Sequence, residues 1–136
     1  MKHAIRISCS RSNLKTVRDF VAGVLQEHQL SDILQNQIIL AVDEIVANLI
    51  IHSNQEDESK HLDIRVAVED QEFRFEAEDD GESFSPSEYR DPDLQEHIRA
   101  GKKGGVGIAL VNRIMDQVEF TTIGTRNFCR LSKRIG

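Results

Sequence analysis

Apolar and polar residues alternate at the start of the chain, where Ile5 and Ile7 predict a short strand. The period then changes. Leu14, Val17, Val21 and Val24 recur three or four residues apart, the spacing of an amphipathic helix that reaches about His28. Ser31 is a suitable N-cap for a second helix, because its hydroxyl can accept from a backbone N–H that the first turn leaves unpaired. From Ile38 to Ile51 that helix is apolar on nearly every face except at Asp43, Glu44 and Asn48, a pattern that belongs deep inside a domain.

The polar run from Ser53 to Lys60 interrupts the pattern. Leu62, Ile64, Val66 and Val68 then alternate with Asp63, Arg65, Ala67 and Glu69 as a half-buried strand. After a turn at Glu69, Asp70 and Gln71, the inward positions Phe73, Phe75 and Ala77 define its antiparallel hairpin partner. Gly81 to Gly104 shows no period, contains Pro86 and Pro92, and is long for a connection in a small domain, as functional loops often are. Ile108, Val111, Ile114 and Met115 predict a third helix, and Val118 to Ile123 and Arg126 to Lys133 predict two strands joined near Gly124. The order is β-α-α-β-β-α-β-β, with no internal repeat or linker. Helices and strands sort into separate layers, an α+β sandwich.

A length of 136 residues suits a single domain over residues 1–136. The 23 acidic against 17 basic residues give a formal charge of −6, and no Lys/Arg stripe runs along any segment, which argues against nucleic acid as a partner. No stretch approaches the roughly 18 uninterrupted apolar residues of a membrane span, and Met1 to Ser10 lacks the apolar run of a signal peptide. A cytoplasmic protein that engages neither nucleic acid nor membrane is the expectation. Cys9 and Cys129, far apart and without metal-ligand spacing, read as reduced thiols in strands.

Three places carry candidate chemistry, and each has two physical readings. Glu44 and Asn48 stand one helical turn apart on one face, with His52 continuing the ridge. They form either a polar ridge satisfied by backbone or water, or a pocket in which the amide oxygen takes Mg²⁺ and the carboxylate handles a nucleophile. Asp79 follows Phe73, Phe75 and Ala77 on the inward face by strict period two, just before Gly81. It is either a turn-forming residue or a buried acceptor for a group such as the exocyclic amine of adenine. Gly101 to Gly107, with Lys102 and Lys103, leads straight into the third helix. That is either a plain loop before a helix start or an anion site built from backbone N–H groups and a helix N-terminus. Neither the P-loop nor the dinucleotide fingerprint fits it, since Leu110 stands where the latter wants glycine or alanine.

In this order, Glu44-x-x-x-Asn48 on a helix, Asp79-x-Gly81 after a strand and Gly105-x-Gly107 opening a later helix resemble the Bergerat-fold (GHKL) ATPases, which include the histidine kinases. Ala41 to His52 and Gly104 to Asp116 look most like the anti-sigma-factor serine kinases of bacterial partner-switching systems, and the likeness covers essentially the whole chain. The resemblance implies a two-layer α/β sandwich whose mixed, mostly antiparallel sheet is covered on one face by three helices, with ATP and Mg²⁺ as cofactors. It implies Asn48 as the Mg²⁺ ligand, Glu44 as general base or water positioner, and Asp79 as acceptor of the adenine amine. Gly81 would let the base approach, Gly105 and Gly107 would bring backbone to the phosphates, Thr125 would support the adenine pocket, and Lys102 or Lys103 would neutralise phosphate charge. Leu49 departs from the small residue common after the metal-binding asparagine, and Ser53-Asn54 from the small and aromatic pair that follows in related kinases.

Two functions follow from that resemblance. The first is a serine kinase that phosphorylates a STAS-domain anti-anti-sigma protein and alternatively sequesters a sigma factor. The second is a switch that uses ATP only to control a protein partner. A catalytic fragment of a histidine kinase fits less well, because none of His3, His28, His52, His61 and His97 has the setting of an acceptor on a helical hairpin. Family members of this size often dimerise through the sheet, so a homodimer is within what the resemblance implies.

Overall fold

In the computed structural model, which describes residues 2–80 and 106–135, the chain opens with strand β1 (Lys2–Ser8) and helices α1 (Asn13–Gln26) and α2 (Asp32–Asn48). A π-helical turn (Leu49–Ser53) extends α2, and strands β2 (His61–Glu69) and β3 (Glu72–Asp79) follow. Helix α3 (Val106–Ile114) then precedes β4 (Gln117–Ile123) and β5 (Arg126–Arg134). The element order is the one that the hydrophobic pattern predicts. α1 buries Val17, Val21, Val24 and Leu25, and the Ser31 hydroxyl accepts from the Leu34 backbone N–H at 3.2 Å, which caps α2 as expected.

The five strands lie in the order β1-β2-β3-β5-β4, and every pairing is antiparallel. The mixed sheet that the resemblance implied is therefore not found among the described strands, for a topological reason. β4 does run in the direction of β3, but β5 is inserted between them, so no two neighbours are parallel. Residues of β2 and β3 alternate as their period requires: Leu62, Ile64, Val66, Phe73, Phe75 and Ala77 are buried, and they meet Ile38, Val42 and Ile45 of α2 in one core. The continuous helical run Asp32–Ser53, 22 residues with an 18-residue window of mean hydropathy 1.4, is long and apolar enough to cross a membrane by length and composition alone. Ile38, Ala41, Val42, Ile45, Val46, Leu49 and Ile50 are spent on this core, while Ile33 and Leu40 in the first half of the run stay exposed.

The β2–β3 hairpin turns on Asp70 and Gln71, both with positive φ, 54° and 61°. Two successive left-handed residues make the tight turn that matches strand twist and favours Asp-Gly or Asn-Gly, so a side chain at position 71 is held at a steric cost. Gln71→Gly is expected to stabilise the fold by about 1 kcal/mol. Urea denaturation of parent and variant checks it, and an unchanged or lower midpoint would contradict the strain.

Candidate functional site

The register places Ser8, His61, Asp79, Asn127 and Ile123 at one end of the sheet. α2 finishes here, since Leu49, one residue past Asn48, lines a cavity of about 10 Å³ together with Asp79, Asn127 and Cys129. α3 delivers the chain to Gln117 at the far end, so its N-terminus points back to the Asp79 end. The end of α2, the end of β3 and the start of α3 thus converge. Gly107 falls in the first turn of α3, where backbone N–H groups have no acceptor within the helix. Gly81, Lys102, Lys103 and Gly105, also singled out in the sequence, lie outside the described residues.

Asn48 is buried, 9% exposed, and Glu44 one turn earlier is half-buried. Burial, and secondarily the like charge of Asp43, push the Glu44 carboxyl above the usual glutamate range. Asp43 itself turns toward α1, where its Oδ1 lies 3.4 Å from Arg18 Nε in an ion pair without hydrogen-bond geometry. The two adjacent carboxylates therefore point about 100° apart around α2, Asp43 toward α1. His52, in the π-helical turn that follows Asn48, is exposed. Asn54, buried, closes that turn: its backbone N–H and side-chain Nδ2 both donate to the Leu49 carbonyl, at 3.0 and 2.9 Å. The departure from the family at this position is accordingly a helix end.

Asp79 is 1% exposed and does face the helices, as its period predicted. Asn127, 6% exposed, is its register partner on β5 and donates from Nδ2 to Asp79 Oδ1 at 3.2 Å. Thr122 on β4, register partner of Asn127, donates from Oγ1 to Asn127 Oδ1 at 2.8 Å. A row of three polar side chains thus crosses three strands at the mouth of the sandwich. Sequence reasoning passed over Asn127 and Thr122. Period two in β5, where Cys129 and Leu131 are inward, was the available signal for Asn127. Thr125, picked out by resemblance, sits exposed in the β4–β5 turn beside Gly124, whose φ of +60° suits a glycine there.

The cysteines are free and buried, Cys129 in β5 and Cys9 just past the end of β1. Burial first and the Asp79 charge second push the Cys9 thiol up to about 11, and the same two causes raise Cys129. Burial and the raised pKa leave little thiolate at either cysteine near neutral pH. A concavity of about 280 Å³ lies elsewhere, on the outer face of the sheet among Arg65, Arg74, Glu76 and Arg130. Its walls are ion-paired, Arg65 and Arg130 each 2.7 Å from Glu76, and none of the buried polar residues lines it. The buried polar side chains of the sheet, Asp79 and Asn127, lie at its Asp79 end.

No group of three or more His, Cys, Asp or Glu able to hold a metal occurs among the described residues. A cation at Asn48 must then take most of its ligands from water and phosphate oxygens. That donor set fits Mg²⁺, which keeps much of its hydration and leans on substrate phosphates. A buried carboxylate facing the mouth of the sheet likewise fits a ligand that brings an N–H donor, such as the amine of adenine.

A family model described as the histidine kinase-like ATPase domain matches residues 7–133. A search of the curated proteins yields no match. Among solved structures, the crystal structure of the RsbU and RsbW domains of Rv1364c from Mycobacterium tuberculosis is similar, with a TM-score of 0.71 at 16% identity. The similarity covers 99% of this chain and 32% of that one, so this chain spans about a third of its length. At that identity the likeness is one of fold.

Proposed function

The chain belongs to the histidine kinase-like ATPase domain family, an ATP-binding fold, and we propose that it is a Mg²⁺-ATP-dependent serine kinase of the anti-sigma-factor type. In this reading its substrate is a STAS-domain anti-anti-sigma protein, and its other partner is a sigma factor that it sequesters. The observation that carries the reading is Glu44: a half-buried carboxyl with a raised proton affinity, one helical turn from the buried amide of Asn48.

Asn48 would hold Mg²⁺ through its amide oxygen, and the ion would supply neutralisation of the phosphate charge. Glu44 accepts the proton of the attacking serine hydroxyl, a role for which a raised pKa is an advantage because it increases basicity near neutral pH. Asp79 holds the base, and the first-turn N–H groups of α3, which have no acceptor within the helix, serve the phosphates. Positioning and electrostatics suffice for this reaction, since phosphoryl transfer asks for little covalent chemistry from the protein. Ile33 and Leu40, 73% and 43% exposed, lie on the same side of α2 as Glu44, which favours a protein over a small molecule as the acceptor.

Incubation with γ-labelled ATP, Mg²⁺ and the cognate STAS-domain protein is expected to place label on one serine of that protein. Label released only as inorganic phosphate, or left on ATP, would overturn the kinase reading.

A further inference from the structure

Asp79 does not stand alone at the mouth of the sheet. Its Oδ1 is held by Asn127 Nδ2 at 3.2 Å, and the Asn127 carbonyl oxygen is held by the Thr122 hydroxyl at 2.8 Å. The polarity of this chain is fixed at each link. An amide flip at Asn127 would set its oxygen against a carboxylate oxygen, acceptor to acceptor, in a site where both side chains are buried. With Oδ1 given to Thr122, the NH₂ group must face Asp79. The three side chains come from successive partners in the sheet, β3, β5 and β4, so strand register sets their spacing.

We propose that Asn127, oriented by Thr122, is a positioning residue for base recognition: it locks the Asp79 carboxylate in the orientation that accepts the exocyclic amine of a purine. The proposal rests on the reading of Asp79 as the acceptor of that amine. A carboxylate on a single-bond stem turns about χ2, a broad torsion that each hydrogen bond narrows, and ordering it on binding lowers affinity. Asn127 narrows that range before the nucleotide arrives. It acts through Asp79, so its effect must depend on whether the base carries the amine.

Equilibrium binding of ATP and of purine riboside 5′-triphosphate, which lacks the amine, separates this role from simple support of the fold. The parent is expected to bind ATP about tenfold or more tightly than the amine-free nucleotide. In Asn127→Leu, which keeps the volume and removes the donor, ATP affinity is expected to fall about tenfold with purine riboside 5′-triphosphate unchanged, closing the gap. Equal losses for both nucleotides, or no loss for either, would overturn the positioning role while leaving Asp79 as the acceptor. Equal affinities in the parent would instead overturn base recognition by Asp79, and Asn127's role with it. Should Asn127→Leu fail to fold, Thr122→Val on the exposed edge strand carries the test: the gap narrows about threefold, or the proposal falls.

Discussion

Asp79→Asn is expected to lower the affinity for ATP by about a hundredfold while the fold survives. Asparagine matches aspartate in size, so the packing of the β3 end beside Leu49 and Asn127 is kept. What changes is the hydrogen-bonding sense. The carboxylate accepts at both oxygens, whereas the amide offers one acceptor and one NH₂ group. Asn127 already donates to position 79, so the new amide must turn its oxygen to Asn127 and its NH₂ toward the base. Donor would then face donor across the adenine amine. The loss thus includes both a charge-assisted bond and a repulsive contact. Titration calorimetry gives the affinity, and circular dichroism checks that the variant is folded. Near-parental affinity in a folded Asp79→Asn protein would remove the base from this end of the sheet.

The position of Asp79 was legible from the sequence because it depends on a local rule. Period two through Phe73, Phe75 and Ala77 is enough to place residue 79 inward, whatever β3 pairs with. The same holds for Glu44 and Asn48, whose helical spacing needs no tertiary knowledge, and for the Ser31 cap. Asn127 was not legible as the partner of Asp79, because that contact depends on which strand lies beside β3. Two adjacent hairpins, β2–β3 and β4–β5, are local. Whether β4 or β5 meets β3 is decided by how the chain returns through α3, and nothing in the period of either strand reports it. The resemblance pointed instead to Thr125, two residues away in the turn. His52, four residues past Asn48 in the π-helical turn, is exposed where Asn48 is buried, a difference that helical spacing does not report.

Glu44→Gln is expected to lower serine phosphorylation of the STAS-domain protein by about 10²–10⁴-fold with ATP affinity unchanged. Glutamine fills the same place one turn from Asn48 but cannot take the hydroxyl proton, so the loss falls on transfer and spares binding. The pH dependence gives an independent check with a definite sign. The Glu44 carboxyl titrates above the usual glutamate range because of burial and then Asp43. As a base it works only when ionised, so activity must rise as pH climbs through that raised value and fall below it. Asp43→Asn removes the like charge, lowers the Glu44 pKa and is expected to move the acid limb of kcat to lower pH. A limb that moves to higher pH, or stays, would show that another group sets it. Normal transfer by Glu44→Gln would dismiss Glu44 as the base. If neither parent nor variant transfers, yet ATP alters the parent's affinity for its protein partner, the domain is a nucleotide-controlled binding switch. The raised carboxyl of Glu44 would then be the cost of a half-buried charge beside the ligand pocket, with no proton to carry.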